Sequence, residues 1–261
     1  LKWTIRLVIS MKKVRAKKYL GQHFLLDLSI AQRIASSLEF EGKMPVLEVG
    51  PGMGVLTQYL LQNQNIELTA VELDSESVEY LAQKFPSLKV LEADFLKLNL
   101  ETLFPDKFCI IGNYPYNISS QIFFKLLDYK DKVPCLSGMI QKEVAERIAA
   151  KPGSKTYGIL SVLLQAYFDV EYLFTVSEHV FDPPPKVKSA VIRLTRNEVE
   201  KISCDEKLFK TVVKTAFNQR RKTLRNSLRP LLGDNKTLTS ERIFDARPEQ
   251  LGVDEFVQLT N

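Results

Sequence analysis

Pro45-Val46-Leu47-Glu48-Val49-Gly50-Pro51-Gly52-Met53-Gly54 decides the fold of this chain. A short apolar run ends in three alternating glycines, and helical spacing resumes over residues 55–61. A strand that turns through glycines into a helix opens an α/β sheet, and the glycines let a ligand approach the backbone closely. The spacing is G-x-G-x-G, not the G-x-G-x-x-G of dinucleotide-binding folds. Only Pro51 and Met53 separate the glycines, so no lysine is placed to grip a phosphate as in a P-loop. Taken alone, such a loop is a weak signal.

The same alternation continues outward. Residues 66–73, 88–93, 108–112 and 137–141 read as strands, and 75–85, 118–128 and 157–167 carry helical spacing. Before the loop, residues 27–38 read as a helix with Asp27 as its cap. Residues 170–176 and 190–194 read as strands with no helix between them, so they are expected to pair antiparallel at one edge. The whole predicts an α/β fold with a mostly parallel sheet covered on both faces. From Asp205 onward only helical spacing remains, through Leu208, Phe209, Val212, Val213, Ala216, Phe217, Leu224 and Leu228. Three segments are expected: a dispensable extension over 1–10 with Met11 as the natural start, a catalytic domain over 11–198, and a helical domain over 199–261.

Three strand ends carry chemistry. Glu72 follows Gly52 by 20 residues and closes the second strand, where a carboxylate can accept both ribose hydroxyls of a nucleoside. Asp94 closes the third and can accept from an adenine amino group. Each could equally be a helix cap or a surface acid. The fourth strand runs into Asn113-Tyr114-Pro115-Tyr116, residues that end a strand in a stiff polar corner. An exocyclic amine on a planar base needs two acceptors and an aromatic face. Asn113 Oδ1, the Tyr114 carbonyl and the Tyr116 ring supply that set. Four residues alone fit a strand-ending turn with a core tyrosine as well.

Charge and composition narrow the partners. The chain has 261 residues, 45% hydrophobic and 26% charged, with a net charge of +5. Lys12, Lys13, Arg15, Lys17 and Lys18 form one acid-free basic run, and Lys214, Arg220, Arg221, Lys222, Arg225 and Arg229 another. With those 11 residues set aside, 25 basic residues face 31 acidic ones, so the positive charge is concentrated in two patches. Such patches point to a polyanion, nucleic acid first. Cys109, Cys135 and Cys204 lie far apart and the only histidines are His23 and His179, so neither a disulfide framework nor a metal site is expected. A cytoplasmic protein with no membrane contact is expected, since no apolar run reaches spanning length.

The ordered set of glycine loop, Glu72, Asp94 and Asn113-Tyr114-Pro115-Tyr116 resembles the motifs of S-adenosylmethionine-dependent adenine-N6 methyltransferases. Tyr19-Leu20-Gly21-Gln22-His23-Phe24-Leu25 is similar to the N-terminal motif of the rRNA adenine dimethyltransferases. The stretch from Val180 to Val191, with Phe181, Pro183, Pro185, Val187 and Ser189, resembles their late F-x-P-x-P-x-V-x-S motif. Phe217 to Leu228, with Arg220, Arg221, Lys222 and Arg225, resembles the tail signature of the small-subunit enzyme, the kasugamycin-resistance methyltransferase family. Each motif alone is unspecific; the combination, from about Lys17 to the C-terminus, is not. Tyr114 stands where the family usually has Leu, and His23 where it often has Asn.

The resemblance implies a Rossmann-like methyltransferase sheet with a small C-terminal helical domain. It implies S-adenosyl-L-methionine held by His23, Leu25, Gly50, Gly52, Glu72, Asp94 and Asn113. It implies a catalytic corner of Asn113, Tyr114, Pro115 and Tyr116, with Phe181 as a second aromatic plate; Phe181 as a core plug is the plainer alternative. Lys17, Lys18, Arg220, Arg221, Lys222 and Arg225 are expected to hold RNA. The implied reaction is N6,N6-dimethylation of two adjacent adenines near the 3′ end of small-subunit rRNA, by a monomer acting on the assembling 30S-type subunit. The alternatives are the macrolide-resistance type of large-subunit rRNA adenine methyltransferase, a DNA adenine methyltransferase, and a non-catalytic ribosome-assembly factor. The glycine spacing disfavours a dehydrogenase.

Overall fold

The computed structural model describes residues 14–233 and 237–261. The extension expected over 1–10, Met11, Lys12 and Lys13 lie outside the described residues. Among the described residues nine strands appear in chain order: β1 Phe24–Leu25, β2 Met44–Val49, β3 Ile66–Glu72, β4 Lys89–Glu92, β5 Cys109–Asn113, β6 Cys135–Gln141, β7 Phe168–Val176, β8 Phe181–Asp182 and β9 Ser189–Arg196. The helices are α1 Leu28–Ala35, α2 Thr57–Leu60, α3 Ser75–Lys84, α4 Leu100–Leu103, α5 Ser119–Asp128, α6 Lys142–Ala149, α7 Ile159–Gln165, α8 Glu206–Asn218, α9 Leu224–Ser227, α10 Arg229–Leu232 and α11 Val253–Thr260.

Seven strands form one sheet in the order β4-β3-β2-β5-β6-β9-β7. The pairs from β4 to β6 are parallel, and β9 runs antiparallel to both β6 and β7. The expected antiparallel pair is present, with β9 inserted beside β6 and β7 at the edge. Strand order reverses between β2 and β5, which places the switch point beside the glycine loop.

Alternation explains the two covered faces. Leu47, Val49 and Ile110 enter one apolar cluster, whereas Val46, Cys109 and Ile111 enter the other. The first cluster takes in α5 and α7 and also Phe209, Val212, Val213 and Ala216 of α8. The C-terminal helices therefore share a core with one face of the sheet. The second cluster joins Ala31 and Ile34 of α1 to Leu56, Leu60 and Met139.

Caps set several helix starts. Asp27 Oδ1 accepts from the Ser29 and Ile30 N–H groups at 2.9 and 3.2 Å, and Asp205 Oδ1 accepts from Leu208 N–H at 2.7 Å. The sequence reading missed α6, a short helix with a Glu143–Arg147 ion pair at 2.9 Å one turn apart. It also missed the two-residue ladder that pairs Phe24 with Asp182 and Leu25 with Phe181. That ladder brings the N-terminal motif and the late proline-rich motif together.

Candidate active site

The C-terminal ends of β2, β3, β4 and β5 surround one cavity of about 180 Å³. Residues 20–25 complete its lining. Gly52 turns the loop at φ +54, and a Cβ there would sit 3.0 Å from Phe24 Cε1, so both backbone and neighbour demand glycine. Its N–H donates to Glu72 Oε2 at 3.0 Å.

Glu72 is buried at the end of β3. Its Oε1 accepts from Leu73 and Asp74 N–H at 2.8 and 2.9 Å. Burial pushes its carboxyl above the ordinary glutamate value, against the pull of those three N–H donors. A carboxylate offers about four acceptor sites, so roughly one, on Oε2, is left for a ligand hydroxyl. Asp94 lines the cavity too, but as a cap: Oδ1 accepts from Leu96 N–H at 3.0 Å, and Oδ2 lies 3.6 Å from Lys97 Nζ. Glu48, not singled out from sequence, is 1% exposed and accepts from the Thr57 hydroxyl at 2.7 Å. Burial pushes its carboxyl up to about 7, and the nearby Glu72 charge adds to that while Thr57 opposes it.

The corner after β5 is built by close backbone approach. Tyr114 turns inward, 1% exposed, and its phenol donates to Ser137 O at 2.8 Å. A Cβ on Gly138 would sit 2.4 Å from that ring, so β6 needs a glycine there to admit it. Tyr114 N–H donates to Met139 O at 3.0 Å; among the described residues no hydrogen bond ends on the Tyr114 carbonyl. Asn113 Nδ2 donates to His23 O at 3.2 Å, which leaves Oδ1 as the unengaged end of the amide. The His23 imidazole bonds through Nδ1 to Pro183 O at 2.8 Å, and its ring lies 5.2 Å from that of Tyr116. The Tyr116 phenol and the Ser189 hydroxyl share a hydrogen bond. Burial pushes that phenol above the ordinary tyrosine value, and the bond to Ser189 opposes the rise.

The cavity thus gathers His23, Leu25, Gly50, Gly52, Glu72, Asp94, Asn113, Tyr114, Pro115 and Tyr116. Phe181 does not join them. It is 3% exposed in the apolar cluster with Leu25 and Val191, because the β1–β8 ladder draws it into the core. The aromatic plate expected there is corrected to a core residue.

The basic residues divide in the same way. Lys17 bonds Asp74 and lies 3.3 Å from Glu76, and its ammonium is held above the ordinary lysine value by the bond to Asp74. Burial works to raise Asp74, but its bonds to Lys17, Ser77 and Gln22 outweigh that and hold it below the ordinary value. Arg225 bonds Thr239 O and Asp245, and Arg220 donates to the Ser154 and Lys155 carbonyls. These three guanidinium or ammonium groups are engaged by the protein itself, a correction to the expectation that all are presented to RNA. Lys18, Arg221 and Lys222 are exposed. Sequence reasoning also missed Gln22, Asp74 and Ser189. The signal for Asp74 was its cap position before Ser75; Gln22 and Ser189 lay within quoted motifs without a role.

Would this cavity suit a nucleoside-bearing sulfonium? The apolar side chains of Val55, Leu73, Phe95 and Leu96 line it beside the carboxyl groups of Glu48, Glu72 and Asp94, an acceptor set matched to a purine nucleoside and a cationic centre. Together, a doubly covered α/β sheet and a pocket at its strand ends, beside the corner of Asn113 to Tyr116, define a Rossmann-like methyltransferase fold. The chain matches the ribosomal RNA adenine dimethylase family over residues 13–259 and belongs to that family. It is 69% identical over 252 residues to the ribosomal RNA small subunit methyltransferase A of Parabacteroides distasonis, covering 96% of this chain and 94% of that protein. The protein of the same name from Bacteroides thetaiotaomicron is 65% identical, covering 96% and 95%. Among solved structures, a dimethyladenosine transferase from Plasmodium falciparum aligns with a TM-score of 0.77 at 25% identity, over 91% of this chain and 96% of that one. The 23S rRNA methyltransferase ErmE aligns at 0.69 and 26% identity, over 91% and 99%. Among the described residues no helix is long and apolar enough to cross a membrane.

Proposed function

We propose that this protein transfers methyl groups from S-adenosylmethionine to N6 of two adjacent adenines near the 3′ end of small-subunit rRNA. It would do so as a cytoplasmic monomer on the assembling subunit. One observation carries the reading: the Asn113 amide is anchored through Nδ2 to the His23 carbonyl, which leaves Oδ1 for an amine beside the glycine loop.

S-adenosylmethionine, when bound, supplies an electrophilic methyl group on a sulfonium. Gly50, Gly52 and the remaining acceptor site of Glu72 would hold its nucleoside, with Asp94 and the apolar side chains of Leu73 and Phe95 around its base. Leu25 and His23 close the cavity from the N-terminal side. The adenine amine is a poor nucleophile because its lone pair is delocalised into the ring. Asn113 Oδ1 and the Tyr114 carbonyl would accept its two N–H groups, favour tetrahedral nitrogen and stabilise the charge that develops there. The methylated cationic nitrogen is acidic enough to lose its proton without a strong base. Pro115 stiffens the corner, and Tyr116 presents a ring to a base taken out of its stack. Positioning for in-line attack supplies much of the rate.

RNA would be held by Lys18, Arg221 and Lys222, through phosphates and shape rather than base edges. The test is incubation with labelled S-adenosylmethionine and purified unmethylated small or large subunits, followed by nucleoside analysis. Dimethyladenosine in the small subunit is expected. Label confined to the large subunit, or binding without label, would overturn the reading.

A further inference from the structure

The segment that follows β8 touches the active site twice, and neither contact is a stacking contact. Phe181 is in the core, but Pro183 O holds the His23 ring and the Ser189 hydroxyl holds the Tyr116 phenol. Ser189 is fully buried as the first residue of β9. Its backbone is fixed from both sides, paired with Gln141 of β6 and Val176 of β7. The Ser189 hydroxyl is therefore a fixed point in the sheet. Tyr116 is not so constrained: it opens the 3₁₀ turn between β5 and α5, and its ring stands at the cavity with the His23 ring beside it. Among the described residues, Tyr116 is the only hydrogen-bond partner of the Ser189 hydroxyl.

We propose that Ser189 is a positioning residue for methyl transfer, holding the Tyr116 ring at the mouth of the cavity through this hydroxyl pair. A ring hinged on a short turn would otherwise sample several orientations about its side-chain torsions, and a misaligned plate misplaces the amine relative to Asn113. The inference rests on the methyl-transfer reading and assigns work to a residue that does not touch the substrate.

A double-mutant cycle tests it, with kcat and KM measured for wild type, Ser189→Ala, Tyr116→Phe and the double variant, and thermal unfolding followed alongside. Each single variant is expected to lower kcat roughly tenfold while KM for the methyl donor stays within about twofold. The double variant is expected to be no slower than the slower single one, because both changes remove the same tether. Multiplied losses in the double variant would overturn the proposal, as would a rise in KM for the donor that matches the fall in kcat. Should Ser189→Ala fail to fold, Tyr116→Phe decides alone: it keeps the ring and removes the tether, so an unchanged kcat overturns the proposal. Wild-type protein that methylated only large subunits would sink the small-subunit reading and leave the cycle readable on that substrate.

Discussion

The strand-end corner and the basic run after α8 behave differently. At the corner, Gly52, Glu72, Asp94, Asn113 and Tyr116 come from four strand ends and line one cavity. In the basic run, Arg220 and Arg225 turn back onto the protein, whereas Arg221 and Lys222 face outward. A parallel sheet aligns the ends of its strands, so residues at equivalent strand positions meet by construction. Nothing comparable aligns a run of charges. Each long side chain takes the nearest carbonyl or carboxylate that the tertiary fold offers.

The largest effect should fall at the corner. Asn113→Ala is expected to lower kcat by about 10²–10³-fold, as loss of one preorganised group typically does, with subunit binding retained. Equal losses in binding and turnover would erase the contrast between the two regions. Next comes Glu48, buried in the same region. An unfolded glutamate titrates near 4.5, while folding holds Glu48 protonated up to about 7. The folded chain binds the extra proton between those values. Its stabilising contribution is therefore complete below 4.5 and lost as pH rises through 7. The interval is worth roughly 3 kcal/mol. Glu48→Gln should flatten that fall, checked by denaturant unfolding at about pH 5 and about pH 8.

Smaller effects follow. Glu72→Gln should weaken binding of the methyl donor roughly tenfold by calorimetry, because it removes one acceptor and places an amide against backbone N–H groups. Unchanged affinity would remove Glu72 from the site. Replacing Arg221 and Lys222 together by Ala should reduce the salt slope of subunit binding by roughly 1.4–1.8. Lys17→Ala and Arg225→Ala should leave that slope nearly unchanged, since both cations are already paired. A full unit of slope lost at Lys17 would show that its pairing with Asp74 gives way to RNA.

Much of this was legible in one dimension. The strand-glycine-helix unit around Gly52 and the acids closing successive strands are local signals, carried by alternation and by residues that stop a strand. The inward turn of Tyr114 was not legible, because it depends on the absence of a Cβ at Gly138 on a neighbouring strand. Nor could the sequence choose between Phe181 as an aromatic plate and as a core plug, because that choice depends on a two-residue ladder closed across more than 150 positions.

By itself the order of residues determined the α/β alternation, the glycine loop between a strand and a helix, and the stiff polar corner that ends β5, since periodicity and strand-ending chemistry act over a few residues. Only the tertiary structure decided that Glu72 is already engaged by three backbone donors, that Lys17 belongs to Asp74, and that Ser189 anchors Tyr116. Those outcomes depend on which groups packing brings within hydrogen-bond reach, and that distance is not written in sequence separation.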